Sequence, residues 1–119
     1  MQKYDFYEIA VVGAGAAGSM AAIKAGRPGK SVVLIERNSS LGKKILLTGK
    51  ARCNITNTAS PEDFLERFGR AGQFLRHAFS LFSNKDLMNF FAGNDLTLVP
   101  ERQGRVFGGL KDIFHGKKY

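Results

Sequence analysis

The sequence predicts an α/β protein: a parallel βαβ unit at its amino-terminal end, helices after it, and a parallel sheet left incomplete. Three observations carry this. A short apolar run at 7–12 stops at a glycine cluster, an alanine-rich segment spans 16–25, and a second apolar run at 31–35 closes on Glu36. Strand, tight turn, helix and strand within about 30 residues form a βαβ unit, whose crossover is right-handed.

Composition agrees with a folded chain. Hydrophobic residues make up 44% of the 119 and charged residues 24%, a globular balance. That length holds one domain, expected over 1–107, with 108–119 as a tail. A single cysteine, Cys53, excludes an intrachain disulfide and a cysteine-rich zinc site. His77 and His115 are far apart in sequence, so no metal site is expected. No apolar run reaches the roughly 20 residues of a membrane span, nor a signal-peptide core of about 7–15, so a cytoplasmic protein without membrane contact is expected. The formal charge is +8 and uneven: residues 1–60 carry 9 bases against 3 acids, residues 61–119 carry 9 against 7. The first half suits an anionic partner.

Each element has a local reason. Residues 7–12 lack polar alternation, as a buried parallel strand does. Residues 16–25 are mostly alanine, the best helix former, and stop at Gly26 and Pro28. Residues 31–35 repeat the first strand's pattern. From Arg37 to Ala59 periodicity fails in a long basic loop, with 45–47 as a possible turn of helix or short strand. Ser60, Pro61, Glu62 and Asp63 supply a cap, a first-turn proline and two first-turn acids for a short helix. Phe74, Leu75, Ala78, Phe79 and Phe82 predict one apolar face of a second helix. Ser83 caps a third, with Asp86 three residues on and Gly93 as its stop. Residues 96–99 read as a strand, followed by a polar turn and 105–107.

The glycine cluster carries the chemistry. In Gly13-Ala14-Gly15-Ala16-Ala17-Gly18 the first glycine allows a sharp turn and the second a close approach of backbone to pyrophosphate. The third permits tight packing of helix on strand. The helix start then offers unpaired N–H groups and a partial positive charge to phosphates. Glu36 lies 18 residues beyond Gly18, where a carboxylate accepts from the adenosine ribose hydroxyls. Together these predict a Rossmann-like domain of the FAD/NAD(P)-binding kind. Arg37 beside Glu36 leaves a 2′-phosphate less than fully excluded.

A long basic loop after the second strand favours FAD over NAD, because it can wrap an extended dinucleotide. At that loop the chain resembles the BaiN-like (aminoacetone-oxidase-type) flavoproteins. The resemblance rests on the glycine turn with Glu36-Arg37, on Leu-Gly-Lys-Lys…Thr-Gly…Arg-Cys-Asn…Thr-Asn at 41–57, and on Gly104-Arg105-Val106-Phe107. It implies non-covalent FAD, a redox reaction, and in some members reduction of unsaturated steroid-like substrates with NAD(P)H as donor. It also places Lys44, Thr48, Gly49, Arg52, Cys53 and Asn54 at the cofactor. Arg52 suits bidentate phosphate pairing, or is a solvated loop arginine. Cys53 could sit beside a flavin, but a lone cysteine is more often a small buried hydrophobe. The family usually has glycine where this chain has Ala51, and its members are several times longer.

The expected function is therefore the FAD-binding portion of a flavoprotein oxidoreductase, gripping the ADP moiety. The chain reads as an amino-terminal piece without turnover of its own; a small-molecule substrate belongs to a complete protein. No residue is identified as catalytic. Two other readings compete: a non-catalytic dinucleotide-binding remnant, and a basic nucleic-acid-binding module. The second lacks a base-reading motif, so no nucleic-acid partner is expected.

Overall fold

The computed structural model describes residues 6–47 and 53–108, which fall into two compact units divided between Ala51 and Arg52. The first holds β1 (Ile9–Val12), α1 (Ala16–Gly26), β2 (Val32–Ile35) and α2 (Lys43–Leu47). β1 and β2 pair in parallel, from Ile9 opposite Val32 to Val12 opposite Ile35. This is the βαβ unit the sequence predicts, in a Rossmann-type domain. β1 begins two residues later than the apolar run, because Glu8 is used otherwise. Its carboxylate takes the Lys30 ammonium at 2.6 Å and the Ser31 N–H at 3.0 Å, pinning the open end of the two strands. Phe6 and Tyr7 stay outside, 92% and 51% exposed.

The second unit is built differently. β3 (Asn54–Asn57), β4 (Leu98–Pro100) and β5 (Arg105–Gly108) form an antiparallel sheet in the order β3-β5-β4. Between them run α3 (Pro61–Glu66), α4 (Arg70–Leu81) and α5 (Asn84–Ala92). The caps are those expected. Ser60 Oγ accepts from the Asp63 N–H at 3.1 Å, and Ser83 with Asp86 closes a reciprocal capping box.

Two expectations are corrected. Within 37–59, α2 takes up the turn of helix allowed at 45–47, but the stretch also contains β3, which was not expected. β3 escaped notice because its partner, β5, lies some 50 residues on and supplies what four residues of mixed polarity cannot. The apolar face of α4 also differs. Leu75 and Phe79 are half-buried with Gly72 beneath them, whereas Phe74 is 88% exposed and Ala78 lies outside too. One residue is about 100° of helical rotation, so 72, 75 and 79 share a face that 74 and 78 leave. Phe64 packs against Phe79, ring centroids 4.9 Å apart, and joins α3 to α4. Val106 and Phe107 on β5 are the buried apolar side chains of this unit among the described residues.

Candidate dinucleotide site

The first unit brings the glycine cluster and the acid together. Gly13 leaves β1 with φ +93°, a conformation costly for a side chain, and its N–H donates to the Ile35 carbonyl at 2.7 Å. The turn is thereby tied to the end of β2. Gly18 sits where a Cβ would collide with the Gly13 carbonyl oxygen, so α1 approaches the strand only because that Cβ is missing. This is the packing role the third glycine was expected to have.

Glu36 turns back onto the cluster. Its Oε2 accepts from the Ala14 N–H at 2.8 Å, and its Oε1 accepts from the Asn38 N–H at 2.9 Å and from the Asn38 side-chain amide. The Ala14 N–H, then the Asn38 donors, hold this carboxyl down at about 2, well below its ordinary value of 4.5. Glu36 is therefore a carboxylate at any physiological pH. Gly42 closes the other side, its N–H donating to the Ala14 carbonyl at 2.9 Å, and Ala14 is fully buried.

What stays open is the helix start. Gly15, Ala16 and Ala17 are exposed, and Gly15 caps α1 with no side chain to satisfy its first N–H groups. No atom lies within 4 Å of where a Gly15 Cβ would stand. No acid occupies the first turn of α1. An anion meets donors, the positive end of the helix and free space there.

The remaining expected residues fall differently. Arg37 is exposed beside Glu36, and Lys44 is exposed on α2. Thr48, Gly49, Arg52 and Ala51 lie outside the described residues. Cys53 is half-buried ahead of β3, and Asn54 is exposed on it, both in the second unit. Sequence reasoning passed over Asn38 and Gly42. An amide two residues after a strand-ending acid, and a glycine directly before two lysines, were the available signals; the structure gives that glycine φ +64°. Among the described residues no three His, Cys, Asp or Glu side chains gather as a metal site, and no helix is long and apolar enough to cross a membrane.

A parallel βαβ unit with a glycine turn, an open helix start and an acid at the end of its second strand defines a Rossmann-type dinucleotide-binding domain. Residues 7–112 match the HI0933-like protein Rossmann domain, and the chain belongs to this family of FAD-dependent oxidoreductases, the BaiN-like flavoenzymes. Over 101 residues it is 37% identical to the 3-dehydro-bile acid delta(4,6)-reductase of Clostridium scindens, covering 83% of this chain and 24% of that protein. It is 31% identical over 108 residues to the ribosomal RNA dihydrouridine synthase of Haemophilus influenzae, covering 90% of this chain and 26% of the relative. The Escherichia coli (strain K12) protein of the same description is 30% identical over 108 residues, with the same coverage. The chain spans about a quarter of the length of these curated relatives.

Proposed function

We propose that this chain grips the ADP half of FAD for a flavin-dependent reductase. The observation that carries the reading is the Glu36 carboxylate, anchored on the Ala14 N–H beside the open start of α1. In this reading the pyrophosphate takes the N–H groups of Gly15, Ala16 and Ala17, and Glu36 accepts from the ribose hydroxyls. Arg37 and Lys44 supply positive charge nearby. The motif alone makes Thr48, Gly49, Arg52, Cys53 and Asn54 further candidates for binding the cofactor. The excess base of the first half then serves cofactor phosphates, and no nucleic acid is needed to explain it.

A bound flavin supplies the chemistry of carrying a hydride from donor to substrate. The residues of this chain hold and orient it. The relatives are described as a 3-dehydro-bile acid delta(4,6)-reductase and as ribosomal RNA dihydrouridine synthases. We assign a full-length protein of this kind an NAD(P)H-driven, flavin-dependent reduction of a small molecule in the cytoplasm, the reading that the bile acid reductase favours.

Titration of the chain with FAD and with NAD, followed by flavin fluorescence and calorimetry, tests the reading. FAD is expected to bind more tightly, and duplex RNA not to displace it. Tighter binding of NAD would overturn the assignment.

A further inference from the structure

Asn38 takes up much of what the Glu36 carboxylate has to offer. An ionised carboxylate has two oxygens and about four acceptor positions. Glu36 Oε2 takes one donor, the Ala14 N–H at 2.8 Å. Oε1 takes two, the Asn38 N–H at 2.9 Å and the Asn38 side-chain Nδ2. The Arg37 N–H adds only the smallest pull on the group. Among the described residues, the chain's own donors thus fill three positions. The open one is on Oε2, the oxygen tied to the glycine turn.

Neither burial nor packing holds the amide there: Asn38 is exposed, as are Ser39 and Ser40 after it. The charge of Glu36 does not depend on it either, since the Ala14 N–H is the largest cause of the lowered carboxyl. What the amide changes is the set of acceptor positions left for a ligand. A ribose presents two adjacent hydroxyls. A carboxylate with both oxygens open takes both, one on each; a carboxylate whose Oε1 already holds two donors takes one.

We infer that Asn38 is a specificity-determining residue of the dinucleotide site: its amide closes Glu36 Oε1 and restricts the carboxylate to a single ribose hydroxyl, accepted on Oε2. The inference rests on the reading above, in which Glu36 meets the ribose, and narrows it. A ligand without the hydroxyl that Glu36 reads is rejected, and one without the other hydroxyl is accepted. Asn38 acts through Glu36 and does not itself touch the ligand.

The test titrates the 119-residue chain and its Asn38→Ala variant with ADP, 2′-deoxy-ADP and 3′-deoxy-ADP by calorimetry. Asn38→Ala keeps the backbone N–H on Oε1 and frees the position held by Nδ2, and the exposed side chain can be removed without harm to the fold. The parent is expected to bind one deoxy analogue about tenfold more weakly than ADP, the loss of a hydrogen bond to a charged acceptor, and the other within about twofold. In Asn38→Ala both analogues should bind more weakly than ADP by at least about fivefold. Titration of the Glu36 carboxyl by NMR is the second readout: losing Nδ2 moves it up from about 2, while the Ala14 N–H keeps it below 4.5. A parent that loses equally with either analogue overturns the inference and leaves the ADP-gripping reading in place. So does an Asn38→Ala variant with the parent's pattern, or one whose carboxyl titrates unchanged. If ADP does not bind, or neither hydroxyl matters in either protein, Glu36 does not hold the ribose, and the functional reading fails together with the inference.

Discussion

The two units solve different problems. In the first, Ala14 is the buried apolar residue among those described; Ile9, Val11, Val32, Val33 and Leu34 are half-buried along the strands, while Val12 is 81% accessible and Leu47 77%. Its order comes from backbone geometry at the glycine turn and from hydrogen bonds to Glu36 and Glu8. In the second, Val106 is fully enclosed, Phe107 nearly so, and two helix starts carry side-chain caps. One unit is shaped around donors that face outward; the other is shaped around its own core. Elements that serve a ligand are drawn from the less self-sufficient part of a fold, since they must leave groups unsatisfied until it binds.

Gly18 gives the hardest break on the ligand side. A methyl group there meets the Gly13 carbonyl, so α1 must move off the strand and carry its N–H groups with it. Gly18→Ala is expected to abolish measurable FAD binding and to destabilise the first unit by about 1–3 kcal/mol or more. Circular dichroism melting alongside FAD titration checks this. Retained binding would mean that the close approach of helix and strand is dispensable.

Val106 is the counterpart on the core side. Removing two methyl groups from a fully buried position should cost about 2 kcal/mol. Val106→Ala is expected to lower the stability of the second unit and leave the hydrogen exchange of Ala14 and Gly42 amides unchanged. Matching losses in both units would show that they unfold as one.

The same contrast explains what the sequence revealed. Gly13, Gly18 and Glu36 were legible because a turn, a close approach and a strand-ending acid are each specified within a few residues. Ser60 and Ser83 were legible for the same reason, since a cap reaches three residues. β3 and the antiparallel sheet were not, because Asn54 and Thr56 become a strand only against Phe107 and Val106. Asn84 was read past as ordinary helix sequence; its meaning lies in two carbonyls more than two dozen residues away. Phe74 misled for a related reason. Periodicity places it beside Ala78, but which of two adjacent faces is covered depends on α3, not on α4.

The smallest effect concerns the carboxylate that links turn and strand. Glu36 titrates at about 2 in the fold against 4.5 unperturbed, chiefly because the Ala14 N–H and Asn38 hydrogen-bond its charged form. A depressed carboxyl contributes stability that is complete above its unfolded value and lost as pH falls through the folded one. The contribution is therefore constant at neutral pH, begins to decline near 4.5, and is gone below about 2. Glu36→Gln keeps the shape but replaces one acceptor oxygen with an amide and removes the charge. The parent is expected to melt above the variant by a fixed margin at pH 6–7, with the gap closing between about pH 4.5 and 2. Glu8, also lowered by Lys30 and Ser31, titrates in both proteins and cancels from the difference. FAD should bind the variant about tenfold more weakly at pH 7, the loss of one charge-assisted hydrogen bond to a ribose hydroxyl. A melting gap that persists unchanged to pH 2 would show that the amide's geometry, and not the lost charge, is what the turn feels. Equal FAD affinity would move the ribose contact to another residue, with Asn38 and Arg37 the nearest side chains in sequence to examine.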